Sequence, residues 1–190
     1  MYDAVKVNRV RAVKLVLVDE AIFTFNTFSN KAWSVRHLSI EVNDADIRIK
    51  TLAFLGAISD NGGLKAYTVH PKAITAKEIM EFVETLAAKF QGREFAIFMD
   101  NLQAHKTKEV LETCRRPKAR PIFNVPYSPD FNGIETYFSL LKGEYKKLLL
   151  ERLIKGAKVD SPSLISQSIQ WVDQDKVKRC VAAGLTCIRT

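Results

Sequence analysis

The stretch FAIFMDNLQAHK, residues 95–106, places five apolar residues directly before an aspartate. A run of four to eight apolar residues predicts a buried strand, so we expect residues 95–99 to lie in a sheet. Asp100 would then project from the sheet edge where open α/β sheets place their sites. Farther along, VPYSPDFNGIETYFSLLK, residues 125–142, is a turn-rich loop that becomes helical near Glu135. Thirty-four residues separate the two acids.

A second apolar run, VKLVLV at residues 13–18, also stops at an acid, Asp19, which Glu20 follows. We choose Asp19 over Glu20 as the site residue because it ends the apolar run. If the two strands are neighbours, Asp19 and Asp100 lie close together, and a helix starting near Glu135 can pack across the same edge. Each acid alone also has an ordinary explanation, as a strand end, an Asx-turn or favourable charge at a helix N-terminus.

Three converging carboxylates repel one another unless cations neutralise them. Hard oxygen ligands with open positions suit Mg²⁺ or Mn²⁺. Two such ions, roughly 4 Å apart, can drive a phosphodiester displacement.

The remaining patterns predict strands and helices in alternation. An Asp-Asn-Gly-Gly turn at residues 60–63 favours a hairpin, and Thr75 with Glu78 forms a predicted capping box before a helix. The predicted strands are 13–18, a second one through Phe23 and Phe25, 35–42, 46–58, 64–69, 95–99 and 122–125, and the predicted helices are 76–90, about 106–115, 133 to about 154, and 163–182.

Composition indicates one globular domain of 190 residues with a substantial core, since 47% of the residues are hydrophobic. The net charge of +8 favours a polyanion such as nucleic acid, although a subunit packed against acidic neighbours would also be basic. No apolar run reaches the roughly 18 residues of a membrane span. The three cysteines show no zinc spacing, so we expect reduced thiols in an intracellular protein.

Four segments carry a resemblance to a known family: VLVDEAIF followed by Trp33, GAISDNGGL, FMDNLQAHK and VPYSPDFNGIETYFSLLK. Together they resemble the catalytic domain of mariner-type and bacterial insertion-sequence transposases, in the Asp-Asp-Glu transposase and retroviral-integrase superfamily. The resemblance covers about residues 13–150. It implies an α/β, ribonuclease H-like fold with a mixed five-stranded sheet flanked by helices. We expect residues 1–155 to form this catalytic domain and residues 156–190 to form a helical extension of it.

The resemblance also implies roles for individual residues. Asp19, Asp100 and Glu135 correspond to the catalytic, metal-binding acids, with two Mg²⁺ or Mn²⁺ ions as cofactors. His105 matches a position beside the second acid, where it either contacts DNA or the site edge, or bonds a loop carbonyl. The other supporting residues are Asn101, Tyr127, Ser128, Asp130 and Asn132. We expect Asp130 and Asn132 to fix the loop rather than to bind metal.

The sequence departs from the family pattern at two places. The family reads Asn-Pro-Ile-Glu where this chain has Gly133 before Ile134 and Glu135, and glycine is less suited than proline to a first helical turn. We therefore expect a looser start to that helix. Only about 12 residues precede the first strand, so we expect the chain to lack its own N-terminal DNA-recognition domain.

These observations predict a metal-dependent DNA endonuclease and strand-transferase domain. The alternative is a domesticated, non-catalytic fold that serves as a structural subunit of a larger assembly; a nuclease for RNA–DNA hybrids is a weaker third hypothesis. Expected partners are DNA, a second copy in a homodimer, or, in the alternative, other protein subunits. We expect an intracellular location, nuclear in a eukaryote if the protein acts on DNA or else organellar, and no secretion.

Overall fold

The computed structural model describes residues 14–24, 51–116, 118–126, 128 and 132–187. The predicted strand at 35–42, the beginning of the one at 46–58, and Trp33 lie outside these ranges. The strands are β1 (Lys14–Phe23), β2 (Leu52–Ser59), β3 (Gly63–His70), β4 (Phe95–Met99) and β5 (Ala119–Phe123). The helices are α1 (Ala76–Phe90), α2 (Lys108–Arg115), α3 (Gly133–Ile154), α4 (Ser161–Trp171) and α5 (Gln174–Cys187), and a 3₁₀ turn spans Gln103–Lys106.

The five strands form one sheet in the order β3-β2-β1-β4-β5. The hairpin neighbours β1, β2 and β3 pair antiparallel, whereas β1, β4 and β5 pair parallel. The predicted mixed five-stranded sheet flanked by helices is therefore confirmed.

Both faces of the sheet are covered, as the near-continuous apolar character of its central strands requires. Alternate residues of β1 divide between two cores: Leu15 and Leu17 face α3, α4 and α5, whereas Val16 and Val18 face α1 and α2. By this alternation Asp19 lies on the α3 side of β1. Its neighbour Glu20 lies on the opposite side.

Local sequence explains several element boundaries. Thr75 and Glu78 form the predicted capping box at the start of α1. Gly62 and Gly63 have positive φ angles in the β2–β3 turn, a conformation that glycine adopts without steric cost. Thr107 caps α2 by accepting a hydrogen bond from the Val110 N–H.

Several predicted boundaries were wrong. The last strand runs over Ala119–Phe123 and not over residues 122–125. The first strand does not end at Asp19 but continues to Phe23, because its second half pairs with β2, so Phe23 begins no new strand. The single predicted C-terminal helix is two helices, separated at Val172–Asp173. The first of them begins at Ser161, since proline is well tolerated in a first turn.

The last two helices pack against α3. Val177 and Val181 of α5 and Leu164 of α4 are buried in the same core as Ile134 and Phe138 of α3. Cys114 and Cys180 are free, buried thiols. Across the described ranges, no helix is both long and apolar enough to cross a membrane.

Candidate active site

Strand register places Asp19 and Asp100 at the same level of the sheet. The parallel β1–β4 pairing ends with Leu17 opposite Phe98, and each aspartate lies two residues farther along its own chain. The residue paired with Asp19 on its other side is Gly56 of β2. The expectation that the two acids come from neighbouring strands is therefore met, although Asp19 lies within its strand and not at its end.

The third predicted acid, Glu135, is exposed in the first turn of α3. It borders the same cleft, of about 600 Å³, as the two aspartates. The structure thus brings together acids from β1, from the segment after β4 and from α3. The cleft is lined by Asp19, Asp100, Asn101, Leu102, Lys106, Asn124, Val125, Pro126, Asn132 and Glu135.

Asp19 is the buried acid of this cleft, with 6% of its surface exposed. Its Oδ1 accepts a hydrogen bond from the Glu20 N–H at 2.7 Å, and its Oδ2 accepts one from Asn132 Nδ2 at 2.6 Å. Burial raises the pKa of Asp19 to about 7, and the negative charges of Asp100, Glu135 and Glu20 act in the same direction against the opposing hydrogen bond from Glu20. Near neutral pH this carboxyl is therefore partly protonated.

Asp100 has a positive neighbour instead. His105 Nδ1 lies 2.6 Å from Asp100 Oδ1, and His105 Nε2 lies 3.1 Å from Glu20 Oε1. Burial alone would lower the pKa of His105, but the two carboxylates outweigh it and raise that pKa to about 10. Burial likewise would raise the pKa of Asp100, but His105 and the Leu102 N–H hold it below its usual range.

His105 meets the expectation of a contact at the edge of the site, because it adjoins Asp100, but not the expectations of a DNA contact or a loop carbonyl. Its side chain is 1% exposed, so it presents no surface to DNA, and its ring nitrogens face carboxylates and not a loop carbonyl. As an imidazolium it joins the 3₁₀ turn to Glu20 of β1. It holds Asp100 in place from behind the cleft.

Asn101, Ser128 and a residue that the sequence analysis missed, Asn124, form a second network. Asn101 Nδ2 donates to the Asn124 carbonyl at 2.5 Å, and Asn124 Nδ2 donates to the Ser128 carbonyl at 2.8 Å. Asn124 directly follows β5, so the rule that predicted Asp100 from the end of its strand also applies to it. Of the other predicted supporting residues, Tyr127 and Asp130 lie outside the described part of the chain.

Asn132 lies at the N-cap position of α3, but its side chain makes no capping hydrogen bond. Its Nδ2 contacts Asp19 instead, and its buried Oδ1 has no hydrogen-bond partner among the residues that the structure describes. Asn132 was expected to fix the loop, and it does connect that loop to the sheet. The hydrogen bond ends on a site carboxylate itself, which no sequence pattern indicates.

The packing of α5 against α3 gives a physical reason for a glycine at position 133. A Cβ built on this residue would lie 2.1 Å from the Cys180 carbonyl oxygen and 3.2 Å from Val181 Cα, both in the backbone of α5. Contacts of this kind below about 3 Å force a backbone shift. The missing side chain at residue 133 therefore allows close packing of α3 and α5, a role for the glycine that the sequence did not indicate.

Lys106 is a further cleft residue, and the only Lys or Arg that borders the cleft within the described ranges. Its Nζ lies 5.3 Å from the centre of the Phe123 ring, within the range of a cation–π contact. Lys106 directly follows His105 in the sequence, but the sequence alone does not show that it borders the cleft.

The cleft residues carry the oxygen donors that a hard divalent cation prefers, but their side chains do not form a tight cluster. Their donors are oxygen atoms of Asp19, Asp100, Glu135 and the unpartnered Asn132 Oδ1, the ligand type that Mg²⁺ and Mn²⁺ take. Among the residues that the structure describes, no three His, Cys, Asp or Glu side chains are close enough to hold a metal ion. The mutual repulsion of bare carboxylates is consistent with this spacing.

Comparison with known proteins identifies the family of this chain. The profile described as DDE superfamily endonuclease matches residues 14–155. This chain is a member of that family. No curated protein matches the chain.

Solved structures of transposases and integrases share its fold. The Mos1 transposase catalytic domain, solved with raltegravir and Mn, superposes with a TM-score of 0.67 at 14% identity, over 98% of this chain and 86% of that one. The mariner Mos1 paired-end complex with Mg gives 0.69 at 15% identity, over 98% and 57%. The simian T-cell lymphotropic virus intasome in complex with a PP2A regulatory subunit gives 0.59 at 16% identity, over 82% and 46%.

The expected ribonuclease H-like, transposase-type catalytic fold is thus confirmed. The chain spans a little over half of the Mos1 chain in the paired-end complex.

Proposed function

We propose that this DDE-family domain is a metal-dependent DNA endonuclease and strand transferase. The observation that carries the proposal is the single cleft shared by Asp19, Asp100 and Glu135, which come from three separate elements of the fold. Carboxylates that a fold gathers at one edge, at the expense of mutual repulsion, point to a positively charged ligand.

In this proposal Asp19, Asp100 and Glu135 would hold two Mg²⁺ or Mn²⁺ ions. When bound, the ions would activate a water or a 3′-hydroxyl and stabilise the leaving oxygen of a phosphodiester. Asp19 supplies its carboxylate from a buried position fixed by Asn132, and Asp100 supplies one held ionised by His105. Glu135 is exposed on the first turn of α3, so it can approach the ions with little rearrangement of the core.

DNA is the proposed substrate. The net charge of +8 favours a polyanion, and Lys106 borders the cleft where a phosphate would lie. The Mos1 structures include a paired-end complex with a left transposon end. DNA affinity should fall steeply with salt, because each neutralised phosphate releases counterions.

The proposed domain includes the C-terminal helices. Residues 156–190 extend past the family match, which ends at 155, yet α4 and α5 share one core with α3. We therefore propose a single domain in which this extension is part of the catalytic fold.

The test is nicking of supercoiled plasmid in Mg²⁺ or Mn²⁺ by the wild type and by Asp100→Asn. We expect the substitution to reduce cleavage by at least roughly 100-fold, since it removes a metal-binding carboxylate with little change in shape. Asp160→Asn is the matched control: Asp160 is the N-cap of α4, its side chain makes no capping bond, and asparagine caps equally well. The control should cleave as the wild type does.

Equal cleavage by wild type and Asp100→Asn would overturn the proposal. An absence of cleavage by all three proteins would favour the alternative, a non-catalytic subunit of a larger protein assembly. Gly133 was one of the sequence features behind that alternative, together with the expected lack of a DNA-recognition domain, and the packing of α5 gives the glycine another explanation.

A further inference from the structure

We propose that the C-terminal helix α5 positions Asn132 and Glu135 through its backbone contact with Gly133. This inference rests on the proposed function, because it assigns the purpose of the contact to that site. Gly133 is thus a positioning residue, and α5 is a structural part of the active centre although it lies beyond the residues that match the family profile.

The contact is made by backbone on both sides. The Cys180 carbonyl oxygen lies 2.1 Å from the position that a Cβ of residue 133 would take, and the Val181 Cα lies 3.2 Å from it. Ordinary Cβ contacts begin at about 3.4 Å, so α5 approaches α3 as closely as glycine allows. Since no flexible side chain intervenes, a movement of α5 is passed directly to the first residue of α3.

Gly133, the first residue of α3, lies between Asn132 and Glu135 in the chain. Asn132 precedes it and donates to Asp19 Oδ2, and Glu135 follows it by two positions in the first turn. The Glu135 N–H also donates to the Asn132 carbonyl at 3.1 Å, which makes the segment one rigid turn. A displacement at Gly133 therefore moves one acid and the side chain that orients another.

Buried side chains of α3 and α5 also pack together near the contact between Gly133 and Cys180. Ile134 and Phe138 of α3 and Val177 and Val181 of α5 are all buried in one core. Close-packed interiors transmit a shift and do not absorb it locally. An added methyl group at residue 133 should consequently push α3 and α5 apart at the site end.

The experiment compares Gly133→Ala with Gly143→Ala in the full chain. Gly143 lies on the same helix, and a Cβ there would meet nothing within 4 Å, so only Gly133→Ala brings a Cβ against the backbone of α5. The measurements are Mn²⁺ binding by electron paramagnetic resonance, the thermal midpoint without metal, and kcat and KM for DNA cleavage.

We expect Gly133→Ala to weaken Mn²⁺ binding and lower kcat, each by roughly tenfold or more, since a misplacement near 1 Å can have such an effect. The KM for DNA should change less than kcat, because Lys106, the cleft residue proposed to lie near a phosphate, belongs to a different element from α3. Gly143→Ala should bind Mn²⁺ and cleave as the wild type does. If Gly133→Ala lowers only the thermal midpoint while Mn²⁺ affinity and kcat stay at wild-type values, the inference is overturned.

A second pair of variants decides the question if Gly133→Ala does not fold. Val177→Ala and Leu149→Ala each remove buried side-chain atoms from the same core, from α5 and from the distal half of α3 respectively. We expect Val177→Ala to weaken Mn²⁺ binding and Leu149→Ala to leave it unchanged, although both lower stability. Equal Mn²⁺ affinities in this pair would overturn the inference. A wild type that binds no Mn²⁺ and cleaves no DNA would refute the proposed function itself.

Discussion

Asp19 and Asp100 lie at the same level of neighbouring parallel strands, yet their surroundings give them opposite acidities. Asp19 is buried against a neutral amide and has a pKa of about 7. Asp100 is about one-third exposed beside the imidazolium of His105, and its pKa is below the usual range. Equivalent positions in a sheet thus do not make equivalent acids, because the elements packed on each face decide the charge.

The difference follows from the alternation of β1. Asp19 faces the start of α3 and accepts a hydrogen bond from the neutral amide of Asn132, whereas Glu20 faces the other side and shares His105 with Asp100. A cation entering the cleft would therefore meet one ionised acid and one that is partly protonated. We expect cation binding to release a proton from Asp19 and to strengthen as the pH rises.

The largest effect in this comparison is expected from His105→Ala. Removing the imidazolium leaves Asp100 and Glu20 without their shared partner, and breaking a buried charge pair typically costs about 3 kcal/mol. The measurement is urea unfolding at pH 7 with EDTA present.

His70→Ala is the control for His105, since the His70 ring is hydrogen-bonded to the Thr68 hydroxyl, at 2.9 Å, on a partly exposed strand. Its loss of stability should stay within about 0.5 kcal/mol. Similar losses in the two variants would show that the His105 bridge does not stabilise the fold.

The next effect concerns pH and Asp19. Its pKa is raised in the folded state from 3.8 to about 7, so the folded protein binds more protons than the unfolded chain between these values. Stability from this group is therefore present at low pH and is lost as the pH rises from about 4 to 7. The loss amounts to at most roughly 4 kcal/mol at pH 8.

Asp19→Asn should remove that loss and stabilise the metal-free protein at pH 8 by about 1–3 kcal/mol. Urea unfolding from pH 4 to pH 8 in EDTA measures it. The difference between variant and wild type isolates Asp19, because the titration of His105 is common to both. Two parallel stability curves would contradict the raised pKa of Asp19.

Much of this arrangement was predictable from residues 95–106. Five apolar residues followed by an acid predicted both β4 and an acid at the sheet edge, because a buried strand needs an uninterrupted apolar run. The apolar run at residues 13–18 also identified Asp19 as the second acid, although the assumption that the strand ends there was wrong. Its strand continues to Phe23, since pairing with β2 is a long-range contact that the local pattern does not record.

The supporting groups could not be predicted in the same way. The hydrogen bond from Asn132 to Asp19 spans 113 residues, and the contact of Gly133 with Cys180 depends on where α5 packs. His105 was recognised as a site neighbour, but its partner Glu20 lies 85 residues away. These contacts are set by tertiary packing, which short sequence patterns do not encode.

A smaller effect is expected from Asn132→Ala. The variant removes the donor to Asp19 Oδ2 and should cost about 1–2 kcal/mol at pH 8, because the buried carboxylate loses a hydrogen bond. In the Asp19→Asn background the same change should cost less, since no charge is then left unsatisfied. The four proteins form a double-mutant cycle by urea unfolding, and a coupling energy near zero would contradict the importance of this hydrogen bond.

The smallest effect should come from Glu20→Gln, which tests whether His105 belongs mainly to Asp100. The substitution keeps an oxygen acceptor for Nε2 and removes one charge of a side chain that is 20% exposed, so water can replace much of the interaction. We expect a loss of about 0.5–1 kcal/mol in urea unfolding. The pKa of His105, followed by NMR, should fall from its wild-type value but stay above 6.5, because Asp100 Oδ1 is still beside Nδ1. If the variant instead loses as much stability as His105→Ala, Glu20 and not Asp100 is the principal partner of the imidazolium, and the contrast between the two aspartates has a different cause.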